Sequence, residues 1–92
     1  MKWLNQKREQ FSRTQTGIKG KKNGNEFRIS DYTSNDFKYT HLGWYICVEN
    51  KKDDKIFNSL WKNIWFEDIE NAKVWCEEFN WNMIAKNVKE DV

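Results

Sequence analysis

The chain has no proline, only two cysteines, one histidine and four glycines among its 92 residues. Two cysteines and one histidine are too few for a disulfide framework or a structural zinc site. No stretch approaches the ~18 apolar residues of a membrane-spanning helix, and the N-terminus lacks the apolar core of a signal peptide. The expectation is a soluble, cytoplasmic protein with no membrane partner. Its length suits one small domain. Alanine is also scarce, whereas lysine and asparagine supply 24 residues between them. Lysine and asparagine have AT-rich codons, and alanine and proline GC-rich ones. That bias points to a low-GC bacterium, or to a phage or mobile element living in one.

What the chain does have is aromatic residues: six Trp, six Phe and three Tyr. That content argues against disorder even though 33% of residues are charged. The net charge of +2 divides unevenly along the chain. Residues 1–28 hold eight basic side chains (Lys2, Lys7, Arg8, Arg13, Lys19, Lys21, Lys22, Arg28) against Glu9 and Glu26, whereas residues 29–92 hold eight basic and twelve acidic ones. This reads as a basic arm (1–25) beside an α+β body (26–92). Such an arm could grip a phosphate backbone or an acidic protein groove, serve only as a solvated tail, or fold onto its own acidic body.

Residues 2–13, with Trp3, Leu4 and Phe11 about two turns apart, suit a short helix. Asn23-Gly24 is a tight-turn dipeptide, so a hairpin joining the Ile18 and Phe27 regions competes with a flexible linker. Phe27 and Ile29 alternate with Arg28 and Ser30 as in a half-buried strand. Ser34-Asn35-Asp36 reads as a turn. From Phe37 to Val48 the alternation gives a central strand, with Leu42, Trp44, Ile46 and Val48 on one face. Gly43 marks either a bulge or a place where an aromatic ring packs over the backbone.

Residues 55–66 carry apolar pairs every four residues, a helical period that Asp53 or Asp54 could cap. Their Ile, Phe and Trp content and a compact topology favour strand instead. Asp68 then caps a helix running to about residue 80, which turns Ile69, Ala72, Cys76 and Phe79 inward. Met83 to Val88 is open between a last helical turn and an edge strand.

Phe66-Glu67-Asp68-Ile69-Glu70-Asn71-Ala72-Lys73, running into Trp75-Cys76-Glu77, resembles the closing motif of small phage and mobile-element proteins, in which a β-meander ends at an aromatic and a capped helix follows. Residues 26–80 are also similar to the arm-type DNA-binding domain of tyrosine integrases. That resemblance implies a small antiparallel sheet of about three strands packed on one C-terminal helix, with the basic segment as an N-terminal arm. The order of elements suggests a double-stranded-RNA-binding domain too. That family, however, puts a basic cluster at the start of its last helix, where this chain has Glu67, Asp68 and Glu70.

No catalytic set is legible. His41 stands alone, Cys47 and Cys76 fall on a strand and a helix stripe, and Cys-x-x-Cys, a phosphate-cradling glycine loop and His-Glu-x-x-His are all missing. The sequence therefore reads as non-enzymatic, with no cofactor and no metal. Trp44 and Trp75 fit core positions. Trp61 and Trp65, on one face with Phe57, are read as the other half of the core, where a small domain needs large side chains, against the alternative of an aromatic patch that anchors a partner. Trp3 and Trp81, off the main stripes, are candidate exposed anchors. Together with Arg13, Lys19, Lys21, Lys22 and Arg28 they form the expected partner-binding set. The functional expectation is a phage or mobile-element protein that inhibits a host machine by contact with a host protein or nucleoprotein complex, as anti-CRISPR and other anti-defence proteins do. The alternative is a nucleic-acid-binding accessory protein using the basic arm and sheet, and a structural or oligomeric phage protein ranks third.

Overall fold

In a computed structural model of the chain, residues 1–10, 13–33 and 41–84 are described, those at 8–10 and 13–15 by backbone alone. Five strands follow one another as a meander: β1 (Leu4–Gln10), β2 (Arg13–Lys22), β3 (Asn25–Thr33), β4 (His41–Asn50) and β5 (Lys55–Asn58). Each pairs antiparallel with the next, giving one sheet in the order β1-β2-β3-β4-β5. A 3-10 turn (Ser59–Lys62), the helix α1 (Ile69–Glu77) and a single helical turn at 81–84 complete the described chain.

The sheet corrects the expected three strands to five. The basic N-terminal segment expected as an arm supplies β1 and β2, and within the helix expected over 2–13 the residues Leu4–Gln10 form β1 instead. A short isolated helix with a thin apolar stripe gains little in water. The open edge of β2, by contrast, presents a row of backbone donors and acceptors, and β1 pairs with it from Leu4↔Lys19 to Gln10↔Arg13. The alternative hairpin is present: Ile18 lies opposite Ile29 and Gly20 opposite Phe27. Its turn is Asn23-Gly24, both at positive φ (53° and 81°). The expected turn at 34–36, residues 37–40 of the strand expected from Phe37 and everything from residue 85 onward lie outside the described residues.

Residues opposite one another in the register share a face. Phe27 and Ile29 on β3 lie opposite Val48 and Ile46 on β4, and Val48 lies opposite Phe57 on β5. All five are buried, together with Ala72 and Cys76 from α1. Burying each large apolar side chain contributes about 1.5–3 kcal/mol. Asp68 caps α1 as its sequence suggests, accepting from the Glu70 amide at 2.8 Å. An aromatic layer closes the core. Trp75 stacks on Phe57 at 5.8 Å, while Phe79 meets Phe27, Trp75 and Trp81 at 5.5, 5.3 and 5.1 Å. Helix α1 thus covers one face of the sheet, and among the described residues no helix covers the other, open face.

Both readings of Gly43 hold. The register slips beside it, between Tyr32 and Thr33, and Trp65 lies over its backbone. A Cβ at Gly43 would stand 2.9 Å from Cδ1 of Trp65 and 3.0 Å from the Phe66 carbonyl oxygen, and its φ is 153°. Only glycine fits comfortably there.

Candidate interaction surfaces

The lower half of β4 loses its strand partner at Asn58, because β5 is only four residues long. The chain then leaves the sheet and rejoins it at Phe66, whose amide and carbonyl pair with Trp44 at 2.7 Å each. Between these points the Ser59 hydroxyl fills the gap, accepting from the Ile46 amide at 2.9 Å. Residues 59–65 are therefore an excursion from the sheet edge, pinned at both ends. The expected strand over 55–66 is realised only at 55–58.

Local bonds hold this excursion in one shape. Asn58 accepts from the Leu60 amide at 3.0 Å, and Asn63, at φ 57°, closes the 3-10 turn. The Ile64 amide bonds the Ser59 carbonyl at 2.9 Å. With the loop closed this way, its apolar side chains face water: Trp61 is 67% exposed, Ile64 45% and Trp65 43%. Of the two readings of Trp61 and Trp65, the favoured one, a second half of the core, is thus corrected. Trp44 and Trp75 do pack against it. The helical spacing of 56–65 concealed the exposure, because spacing fixes which residues share a face but not whether anything covers it.

The remaining candidates separate into different surroundings. Trp3 and Trp81 are half-buried and pack against the core cluster. The Trp81 indole also donates to Asn25 Oδ1 at 3.0 Å and lies under the Lys55 ammonium at 5.7 Å. That asparagine, buried, accepts as well from Asn50 Nδ2 at 2.9 Å, so one polar knot ties the two hairpin turns to the C-terminal helical turn. Lys22 reaches round to Glu77. Arg28 grips Glu26 at 2.8 and 3.1 Å, and this bond, foremost, holds the Glu26 carboxyl below its ordinary range. Lys19 and Lys21 stand exposed on the open face. The side chain of Arg13 lies outside the described ones.

The same register places Tyr45 and Tyr32 on the open face, with Tyr32 stacked on Trp65 at 5.7 Å. His41 is bonded to Asp31 and tilts against Trp44. Among the described residues no three His, Cys, Asp or Glu side chains are placed to hold a metal ion. No helix among them is long and apolar enough to cross a membrane. Lys2, Lys51 and Lys52, absent from the expected binding set, join Lys19 and Lys21 at one end of the sheet. The signal that could have found two of them is the adjacent pair Lys51-Lys52 in a polar turn. No protein-family model, curated protein or solved structure matches the chain.

Proposed function

We propose that this chain is a non-enzymatic binding protein of a phage or mobile element, which inhibits a host machine by protein–protein contact in the manner of anti-CRISPR and other anti-defence proteins. The observation that carries this reading is the rigid excursion 59–65, which presents Trp61, Ile64 and Trp65 to solvent. Exposed Trp on a preorganised loop has two properties of a binding anchor. It offers a large apolar area, and little conformational entropy remains to be lost on docking. Burying these side chains in the core would have stabilised the fold, so their exposure is a cost that a contact surface accounts for. Next to the loop stand Glu67, Asp68 and Glu70, all exposed. Carboxylates beside an aromatic anchor suit the basic groove of a nucleic-acid-handling protein, where they take the place of phosphates.

The test is expression of the protein in a low-GC host that carries an active defence system, scored by plaque formation of a targeted phage. The wild-type chain is expected to restore plaques. Trp61→Ala, with its melting temperature unchanged, is expected to lose that protection, and a photo-crosslinking residue at position 61 to trap the same host protein that the wild-type chain captures. A folded Trp61→Ala variant that protects fully would remove the loop from the mechanism. Failure to relieve any defence would remove the inhibitory reading.

A further inference from the structure

A second surface lies apart from the aromatic loop, at the end of the sheet where the β2–β3 and β4–β5 turns come together. A groove of about 410 Å³ there is lined by both turns, including Lys21, Lys51 and Lys52. A neighbouring groove of about 390 Å³ is lined by Lys2, Leu4, Lys19, Gly20, Lys21 and Glu26. Lys21 and Glu26 border both, so the two adjoin and make one lysine-lined channel surface.

Lys2, Lys19, Lys21, Lys51 and Lys52 are all exposed, and among the described residues none of the five ammonium groups is in an ion pair. Two carboxylates face them. Glu26 is already neutralised by Arg28, which leaves Glu49, directly opposite Glu26 in the register, against five cations. Lys22 also lines the first groove, but its ammonium is held by Glu77. Asp53 and Asp54 lie in the β4–β5 turn without lining the channel. The channel is therefore strongly positive in a chain whose net charge is only +2. Glu77 stands beside the first groove but is engaged by Lys22 and the Met1 amine, and Glu67, Asp68 and Glu70 lie at the start of α1.

We infer that this channel binds the phosphate backbone of nucleic acid. Five separate ammonium groups along an open channel match a repeating line of phosphates, each lysine acting as a point charge. No aromatic ring lines either groove, so the contact is with the backbone and is indifferent to sequence; base stacking has no platform there. The opposite charge of the α1 side orients the molecule so that the channel meets the polyanion. This inference is independent of the aromatic loop, and either can fail without the other.

The experiment is fluorescence anisotropy with a labelled mixed-sequence DNA duplex, a single strand of the same sequence and labelled polyglutamate, across a salt series. Four to five phosphate contacts predict a loss of affinity for duplex of roughly 100- to 500-fold between about 50 and 200 mM salt. Lys19→Gln/Lys51→Gln should reduce the logarithmic salt slope by about two and weaken binding at least roughly tenfold at the low-salt end. Lys7→Gln/Lys73→Gln removes the same charge outside the channel and should leave the slope unchanged. Circular dichroism and melting establish that both variants are folded. Equal weakening by the two pairs would show a response to net charge alone and overturn the assignment. So would the absence of binding to either DNA at low salt, or binding of polyglutamate as tight as that of DNA, which would assign the channel to an acidic protein instead.

Discussion

Lys22, at the end of β2, reaches α1 and donates to the Glu77 carbonyl at 2.9 Å and to its carboxylate at 3.3 Å. The same carboxylate also meets the Met1 amine at 3.1 Å. One side chain thus gathers the start of the chain, the end of β2 and the last turn of the helix. The cation sits where the α1 carbonyls end, which is the favourable pole of the helix dipole.

It follows that the basic residues of β2 are not equivalent. Lys22→Glu is expected to lower the melting temperature, because it sets like charges together and leaves the last carbonyls of α1 without that donor. Lys21→Glu, on the open face, sets a like charge opposite Glu26 and should lower melting much less, because its side chain is solvated and holds no helix carbonyl. Thermal denaturation of the two single variants at the same ionic strength checks this, and equal shifts would contradict it.

Among the aromatic residues the expected effects are opposite in kind. Phe79 touches three rings, and Phe79→Ala should cost on the order of 3 kcal/mol. Trp61 is mostly solvated, and Trp61→Ala should change stability by no more than about 0.5 kcal/mol. Urea unfolding of both variants measures the contrast.

Gly43→Ala should destabilise the fold by about 1–3 kcal/mol, since the new methyl meets the Trp65 ring and the Phe66 carbonyl from a backbone angle that disfavours a side chain. Part of this cost belongs to the ring. In a double-mutant cycle with Trp65→Ala the two changes should therefore sum to less than their separate effects.

The Glu26–Arg28 bond predicts a pH dependence of definite sign. The folded carboxyl titrates below its ordinary value of 4.5, first because Arg28 hydrogen-bonds its charged form. Its contribution is complete above that value and is lost as pH falls through the lower folded value. The destabilisation caused by Arg28→Met should accordingly be largest near neutral pH and shrink in acid. A deficit that grew as the pH fell would contradict the assignment.

Burial pushes the Cys76 thiol up to about 12. At pH 8 an alkylating reagent should therefore modify the half-buried Cys47 first, and Cys76 only after denaturant is added. Intact mass spectra before and after unfolding would show one adduct, then two.

The amino-acid sequence alone determined the elements whose causes lie within a few residues. The Asn23-Gly24 turn, the alternation of Phe27 and Ile29, the inward Trp44, Ile46 and Val48 of β4 (though not Leu42, exposed at the register slip) and the Asp68 cap all follow from local φ preferences, side-chain period and capping chemistry. Tertiary structure decided the rest. Residues 4–10 are a strand because β2, the next element along the chain, has an edge to complete, and their thin apolar stripe does not announce that pairing. Residues 55–58 follow β4 for the same reason, and the chain from 59 onward departs because Ser59 and Phe66 serve the remainder of that edge. Trp61 and Trp65 are spaced like core residues, yet among the described residues Trp61 stays mostly exposed, while Trp65 lies over Gly43 and Tyr32 and keeps 43% of its surface exposed. Their periodicity is written in the chain; their exposure depends on which neighbours the fold brings to them. The lysine channel has the same origin, since Lys2, Lys19, Lys21, Lys51 and Lys52 come from three separate stretches that meet only when antiparallel pairing sets their turns side by side.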